Sequence, residues 1–144
     1  MITNKIAIAG DHASPELKSK IIADLESQNC EVINLGTDGA DSVDYPDYAD
    51  KLADALKNND AEMGILICGS GIGISIAANR HKHIRAALCH NIETAELSRQ
   101  HNNANVLVLG ARMIEEDLAL KMIHKFFTTE FEGGRHQKRV AKLG

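Results

Sequence analysis

The sequence predicts an α/β fold: a single domain, residues 1–144, built as a three-layer αβα sandwich around a five-stranded parallel sheet. Three observations predict it. Short apolar runs rich in β-branched residues alternate along the chain with segments of helical periodicity. Most of these runs are continuously apolar, which is typical of strands buried on both faces. A length of 144 residues and a hydrophobic content of 44% suit one domain with its own core.

The predicted strands are five short runs. Their bounds are Lys5–Ala9, Glu31–Leu35, Met63–Cys68, Arg85–Cys89 and Asn105–Leu109. Strict alternation with helices implies right-handed crossovers between parallel strands. Among the common orders of a Rossmann-like, doubly wound sheet, a unit of five strands favours 2-1-3-4-5. Such sheets bind ligands at the carboxyl ends of their strands, beside the switch point.

One helix is predicted after each strand. The first begins at Ser14-Pro15, a cap followed by proline at the first helical position, and a spacing of four predicts that Leu17, Ile21 and Leu25 are buried. The others start near Pro46, run from the glycine-rich loop after Cys68 to about Asn79, span Ile92–Gln100, and span Glu115–Phe127.

The net charge of −4 is unevenly distributed. Residues 135–144 hold four cations and no acid, so the body carries −8 and a basic arm ends the chain. This excludes a nucleic-acid-binding protein, whose basic residues cover a whole face, but allows one small bound anion. No apolar run approaches the roughly 18–20 residues of a membrane helix. Three cysteines without metal-type spacing predict a cytoplasmic location, and His81 and His83 lack further ligands, so no metal site is predicted.

A glycine-rich loop, Gly69-Ser70-Gly71-Ile72-Gly73, lies between a buried strand and a helix. Backbone N–H groups can converge there on an anion at the positive end of the helix. The loop lacks the glycine spacing of a dinucleotide fingerprint, and no Gly-Lys-Ser/Thr follows it, which disfavours a nucleotide. The alternative is that the glycines only permit close packing of strand against helix.

Reactive side chains lie beside this loop and after the first strand. Cys68 immediately precedes the loop, where N–H donors and the helix dipole favour a thiolate that acts as base or nucleophile; an inert buried thiol is the alternative. Asp11-His12 pairs a carboxylate with an imidazole at the same predicted edge. His101-Asn102 ends the fourth helix, where helix capping is the alternative role.

The C-terminal arm begins with Gly133-Gly134, a hinge that can fold the arm back. Arg135 and Arg139 lie four residues apart, on one helical face, and can hold phosphate oxygens through bidentate hydrogen bonds. A solvated basic terminus is the alternative.

Six motifs occur in order along nearly the whole chain. They are Gly10-Asp11-His12, Asp44-Tyr45-Pro46, Ile67–Gly73 with Ile76–Asn79, Ser98–Asn102, Gly110-Ala111-Arg112 and Glu132–His136. In these motifs the chain resembles the type B ribose-5-phosphate isomerases, within a sugar-phosphate isomerase group that also contains galactose-6-phosphate isomerase subunits. The resemblance implies an aldose–ketose isomerase that interconverts D-ribose 5-phosphate and D-ribulose 5-phosphate through a cis-enediolate, in the non-oxidative branch of the pentose phosphate pathway.

The resemblance also implies roles for individual residues. Cys68 would be the base, with the Ser70 hydroxyl beside it, and His101, helped by Asp11, would open the furanose ring as a proton donor. Asp11 and the loop residues Gly69, Ser70, Gly71, Ile72 and Gly73 would also contact substrate, with the loop N–H groups stabilising the enediolate oxygen. Asn102 and Tyr45 would contact the sugar, and the phosphate would be held by His12, Arg112, Arg135 and Arg139.

In this family the site lies between two subunits. The resemblance therefore implies a homodimer, or a tetramer built from it, in which His101, Asn102 and Arg112 face Cys68 of a partner chain. One branch has a glutamate base at the position of Ile74; the apolar residue here indicates the cysteine branch. Proton transfer beside a carbonyl needs a base, charge stabilisation and exclusion of water, so no cofactor and no metal are expected. Two alternatives remain: an isomerase of a six-carbon sugar phosphate such as allose or galactose 6-phosphate, and a non-catalytic sensor of a sugar phosphate or nucleotide.

Overall fold

The computed structural model describes residues 1–144, and its centre is one parallel β-sheet. The strands are β1 (Lys5–Gly10), β2 (Glu31–Asn34), β3 (Met63–Cys68), β4 (Ala86–Leu88) and β5 (Val106–Gly110). All four neighbouring pairs run parallel. The predicted α/β class and parallel sheet are therefore confirmed, with strand bounds within one residue of those expected.

The strand order is 2-1-3-5-4, so the predicted order 2-1-3-4-5 is wrong in its last two places. The Val-Leu-Val-Leu-Gly run of β5 is buried at every residue and pairs with β3 from Gly64↔Val106 to Cys68↔Gly110. By contrast, β4 has three residues, all only half-buried, and occupies the edge. Burial inside the sheet removes more apolar surface from water, and so stabilises the fold more, when the buried strand is the more apolar one. The more apolar sequence of β5, compared with that of β4, was the feature that could have predicted this order.

Helices cover both faces of the sheet. Their bounds are α1 (Pro15–Ser27), α2 (Tyr45–Lys57), α3 (Ile72–Ala78), α4 (Ile92–Gln100), α5 (Glu116–Thr128) and α6 (Gln137–Ala141). Buried residues of α1, α4 and α5 form one apolar cluster with one face of the strands, and those of α2 and α3 form another with the opposite face. This confirms the three layers and five predicted helices, and adds α6 within the C-terminal arm. No helix has both the length and the apolar character needed to cross a bilayer.

The start of α1 differs from the prediction in two details. Ser14 is the N-cap residue, but its hydroxyl donates to the Asp11 carbonyl at 2.7 Å and does not cap the helix. On the inner face Lys18 is fully buried, while Leu17 is only partly so. The Lys18 ammonium donates to Asn34 Oδ1 at 2.8 Å and forms an ion pair with Asp38. These bonds satisfy the buried charge and tie α1 to the loop that leaves β2.

Candidate active site

The end of β3 presents the Cys68 thiol to the glycine loop. Its sulfur accepts the N–H of Gly71 at 3.2 Å, and Ser70 Oγ accepts the N–H of Ile72 at the same distance. Gly71 is the N-cap of α3 and has φ +82°, a conformation that a Cβ atom disfavours. One backbone donor thus points at the Cys68 sulfur, and a second points at the hydroxyl of the neighbouring Ser70.

Two further glycines make room for side chains. A Cβ atom on Gly73 would lie 2.6 Å from Cζ of Tyr45, and one on Gly69 would lie 2.9 Å from Nη1 of Arg112. The Arg112 N–H also donates to the Gly69 carbonyl at 3.0 Å. The phenol ring and the guanidinium therefore lie against the loop backbone. The glycines do more than permit packing of strand on helix.

Asp11 and His12 lie at the same edge, after β1. The Asp11 N–H donates to the Ile67 carbonyl at 3.1 Å, and its carboxylate, largely buried, accepts the Ala13 N–H at 2.9 Å. His12 Nδ1 accepts the Val43 N–H at 3.2 Å, so a neutral ring carries its proton on Nε2. Nε2 can then donate to an oxygen of a bound ligand.

His101 and Asn102 lie elsewhere. They follow α4, whose C-terminal end is at the amino edge of the sheet, before β5 begins at Val106. Cys68 pairs with Gly110 at the other end of β5, four residues or about 13 Å farther along the strand. One chain therefore does not bring His101 near its own thiol.

The C-terminal arm folds back against the end of α4. Gly133 and Gly134 have φ of +67° and +54°, and the Glu132 N–H donates to the Gln100 carbonyl at 3.1 Å. This geometry agrees with the predicted hinge. Arg135 and Arg139 are exposed beyond it, with Arg139 Nη1 donating to the Arg135 carbonyl at 3.0 Å. The arm and its arginines thus accompany His101 at the amino edge.

Arg112 does not lie with His101, contrary to expectation. We expected it at the loop of a partner chain, yet its guanidinium lies beside Gly69 of its own chain. The corrected strand order explains this, because β5 neighbours β3 and the residues after the two strands meet. None of the ion pairs in the chain involves Arg112, Arg135 or Arg139, so all three cations remain available to an anion.

The expected site residues thus form two groups at opposite edges. The carboxyl edge holds Asp11, His12, Tyr45, Cys68, the loop Gly69–Gly73 and Arg112; the amino edge holds His101, Asn102, Arg135 and Arg139. A cleft of about 420 Å³ beside β4 includes Asn102, but none of the four surface clefts includes Cys68 or its loop. The Cys68 side chain itself is buried, with 5% of its surface exposed.

The other two cysteines differ chemically from Cys68. Burial raises the pKa of the Cys30 thiol and of the Cys89 thiol. Both belong to the apolar core and face no glycine loop. A buried thiol with a raised pKa is less readily ionised and acts as a small apolar core residue.

The sequence predicted no role for Glu132 or His136, although both belong to the motif Glu132–His136. With His101 they place three possible metal-ligand atoms within 4.8 Å of one another. The two imidazoles are stacked at 4.3 Å with an interplanar angle of 15°, so their in-plane lone pairs run side by side. Ligand lone pairs must point towards a common metal ion in order to bind it, and the lone pairs of these two parallel rings do not.

Comparison with known proteins places this geometry in context. A family model described as Ribose/Galactose Isomerase matches residues 6–143. The chain is 46% identical over 139 residues to ribose-5-phosphate isomerase B of Escherichia coli, covering 96% of this chain and 93% of that protein.

Two solved structures are similar throughout. A ribose 5-phosphate isomerase of Thermotoga maritima has 51% identity and a TM-score of 0.94, over 96% of each chain. Ribose-5-phosphate isomerase B of Mycoplasma genitalium, solved with bound ribulose-5-phosphate, has 44% identity and a TM-score of 0.92, covering 96% of this chain and 93% of that one.

Proposed function

The chain belongs to the ribose/galactose isomerase family, and from that premise we propose that it interconverts D-ribose 5-phosphate and D-ribulose 5-phosphate. One observation carries the proposal: the Cys68 sulfur lies at the end of a buried strand, accepts the Gly71 N–H, and shares its loop with the Arg112 guanidinium. This combines a base, N–H donors for a developing oxyanion and a cation for phosphate. The ribulose-5-phosphate bound to the similar Mycoplasma protein supports the same substrate class.

The reaction begins with opening of the furanose ring. His101 gives a proton to the ring oxygen while the carbon–oxygen bond breaks, and Asp11 takes the proton of the anomeric hydroxyl. The open aldehyde then has an acidic hydrogen on its second carbon. The phosphate, held by His12, Arg112, Arg135 and Arg139, supplies binding energy that orients this carbon without reacting itself.

Proton transfer then moves the carbonyl. The Cys68 thiolate removes the hydrogen from the second carbon, and the electron pair shifts onto the carbonyl oxygen to form a cis-enediolate. N–H groups of the loop Gly69–Gly73, and the Ser70 hydroxyl, stabilise this oxyanion. The hydroxyl proton on the second carbon's oxygen passes to the oxygen of the first carbon, Cys68 returns its own proton to the first carbon, and the second carbon becomes the carbonyl of the ketose. Every step uses groups of the protein alone, so we propose no metal and no cofactor.

We further propose a homodimer in which each site takes residues from both chains. Support comes from the distance between the two groups: His101, Asn102 and the arginines of the arm lie at the edge opposite Cys68. The surface beside the loop also suits an interface, since Ile72 and Ile76 of α3 are 55% and 53% exposed. Large exposed apolar side chains near a site favour a protein partner. Such a partner would also exclude water from the enediolate.

The chain as a whole, residues 1–144, would act as this one isomerase domain, and the family match to residues 6–143 supports that extent. Three cysteines, none of them in a disulfide, support the proposed cytoplasmic location.

A six-carbon sugar phosphate is the second candidate, because the matching family is described by both ribose and galactose. Turnover of ribose 5-phosphate, allose 6-phosphate and galactose 6-phosphate, measured side by side, separates the two. We expect the highest kcat/KM on ribose 5-phosphate. A higher kcat/KM on either hexose phosphate would show that ribose 5-phosphate is not the preferred substrate. Binding of a sugar phosphate without any exchange of its carbon-bound proton would indicate a sensor and not an enzyme.

A further inference from the structure

The His101 imidazole lies on a second imidazole that the reaction described above does not use. Its ring centroid is 4.3 Å from that of His136, and the planes differ by 15°. Both Nε2 atoms approach the same carboxylate oxygen, Oε1 of Glu132, at 3.9 Å from His101 and 3.7 Å from His136. Two imidazoles and one carboxylate therefore form a compact group, here called the histidine pair and its carboxylate.

This group is assembled from two separate segments of chain. His101 is the C-cap residue of α4, where its N–H donates to the Leu97 carbonyl at 2.9 Å. Glu132 directly precedes the arm and His136 lies within it, and the positive φ angles of Gly133 and Gly134 turn the arm back beneath His101. The His136 side chain is 13% exposed and that of His101 38% exposed, so His101 is the outer ring and His136 supports it from within.

The charges around the pair favour a single proton on it. Partial burial lowers the pKa of His136, and the nearby His101 and Arg135 lower it further, while Glu132 opposes them. The charged groups that act on His136, besides His101, are Glu132, Arg135 and Arg139. Two stacked imidazolium ions would repel each other, whereas one imidazolium is attracted by the shared carboxylate. A single proton on the pair is therefore matched by the one carboxylate that both Nε2 atoms approach.

We propose that Glu132 and His136 are positioning residues for ring opening: His136 fixes the plane of the His101 ring by stacking, and Glu132 keeps a proton on that ring. The inference rests on the proposed isomerase function, because it assigns His101 its proton-donating step. When His101 gives its proton to the ring oxygen, the carboxylate is left without a cation and draws the next proton onto the pair. Neither residue is required to touch the sugar.

Three variants test the proposal, and two further variants are controls. Glu132→Gln removes the charge and keeps the shape, and Glu130→Gln, an exposed acid two residues away, is its matched control. His136→Phe keeps a flat ring without a titratable group, and His136→Ala removes the ring as well. The exposed His124 provides the control His124→Phe.

Two kinetic measurements separate ring opening from proton transfer. Isomerisation of ribose 5-phosphate starts from the furanose. Exchange of solvent deuterium into ribulose 5-phosphate starts from an open chain, because its 5-hydroxyl is esterified and cannot close a furanose. We expect Glu132→Gln to lower forward turnover about tenfold and to move its alkaline limb to lower pH, with deuterium exchange unchanged. His136→Ala lowers forward turnover by about the same factor, and His136→Phe restores most of it.

The outcomes distinguish this inference from the function it rests on. If the unmodified protein isomerises sugar phosphates but Glu132→Gln and His136→Ala keep its rate and pH profile, the positioning roles are wrong. Equal losses of forward turnover and deuterium exchange would also overturn them, because the two residues would then support the whole site. An inactive unmodified protein refutes the isomerase proposal; the pair is then tested by NMR titration of His136. Its pKa should rise in His101→Ala, and an unchanged titration would overturn the pairing.

Discussion

Cys68 and His101 lie at opposite edges of the same sheet. β5 connects the two edges: Gly110 at its end pairs with Cys68, and His101 lies five residues before its start at Val106. Under the proposed mechanism, the base and the proton donor that act on one sugar would therefore belong to different chains. This relationship makes the dimer a requirement of the proposed chemistry.

Replacing the proposed base should stop proton transfer and spare binding. We expect Cys68→Ala to lower isomerase turnover by at least about 10³-fold, because no other side chain can take the hydrogen from the second carbon. The competitive inhibition constant of inorganic phosphate should stay within about twofold, since no phosphate-binding group is changed. Cys30→Ala is the control, and full activity of Cys68→Ala would exclude Cys68 as the base.

The loop conformation depends on glycine at position 71. Gly71→Ala places a methyl group 2.5 Å from Cδ1 of Leu88 and 3.1 Å from the Leu109 carbonyl carbon, in a backbone conformation with φ +82°. We expect a loss of about 1–2 kcal/mol in the free energy of unfolding, or more, together with a large loss of turnover as the N–H moves away from Cys68. Gly39→Ala, with no atom within 4 Å of the new methyl, should change neither. Similar behaviour of the two variants in denaturation and turnover would contradict this reading of the loop.

Arg112 should act on the phosphate and leave the proton transfer alone. Its guanidinium is free of ion pairs and lies against Gly69, so Arg112→Met removes a charge-assisted contact worth about 1.5–3 kcal/mol. We expect KM for ribose 5-phosphate and the inhibition constant of inorganic phosphate to rise together, roughly 10- to 100-fold. Arg80→Met, at an exposed position on another surface, is the matched control. A loss confined to kcat would place Arg112 in the chemical step.

Stability in acid should depend on Asp38. Hydrogen bonds from Lys18 and Asn34 hold the pKa of the Asp38 carboxyl below its usual value. A depressed pKa contributes stability that is present above the unfolded pKa, near about 3.9, and is lost as the pH falls towards the folded pKa. Urea denaturation should therefore show Asp38→Asn to be less stable than the unmodified protein at pH 7 and closer to it at about pH 3. Asp41→Asn is the control. A difference in unfolding free energy between Asp38→Asn and the unmodified protein that does not change with pH would contradict a stabilising ion pair at Asp38.

Local patterns predicted most of the fold. Alternation of buried runs and helical segments yielded the layers, and the apolar face of α1 correctly placed Ile21 and Leu25 inside. The strand order was not predicted, because alternation does not say to which side of the sheet each crossover leads. A comparison of the Val-Leu-Val-Leu run with Arg85–Cys89 would have placed β5 inside the sheet and β4 at its edge. Burial of Lys18 had no signal, since its partners Asn34 and Asp38 are distant in sequence.

The sequence predicted that the glycine loop and Asp11-His12 share one edge of the sheet, but it did not predict which of the other candidate residues lie there. The glycine loop, with Cys68 before it, and Asp11-His12 meet at one edge because they end neighbouring strands. Arg112 joins them through the pairing of β5 with β3, which the sequence does not encode locally. The stacking of His136 on His101 depends on the path of the arm after Gly133. No periodic pattern reports such a contact between a helix end and a turned-back segment.

Mixing two inactive variants tests the shared site most directly. Cys68→Ala and His101→Ala are each expected to be inactive as homodimers, and a mixed dimer contains one site without either substitution. After equal amounts are mixed and allowed to exchange chains, we expect recovery of roughly one quarter of the unmodified activity per chain, because half of the dimers are mixed and each has one intact site of two. No recovery, although mass spectrometry shows mixed dimers, would contradict a site shared between two chains.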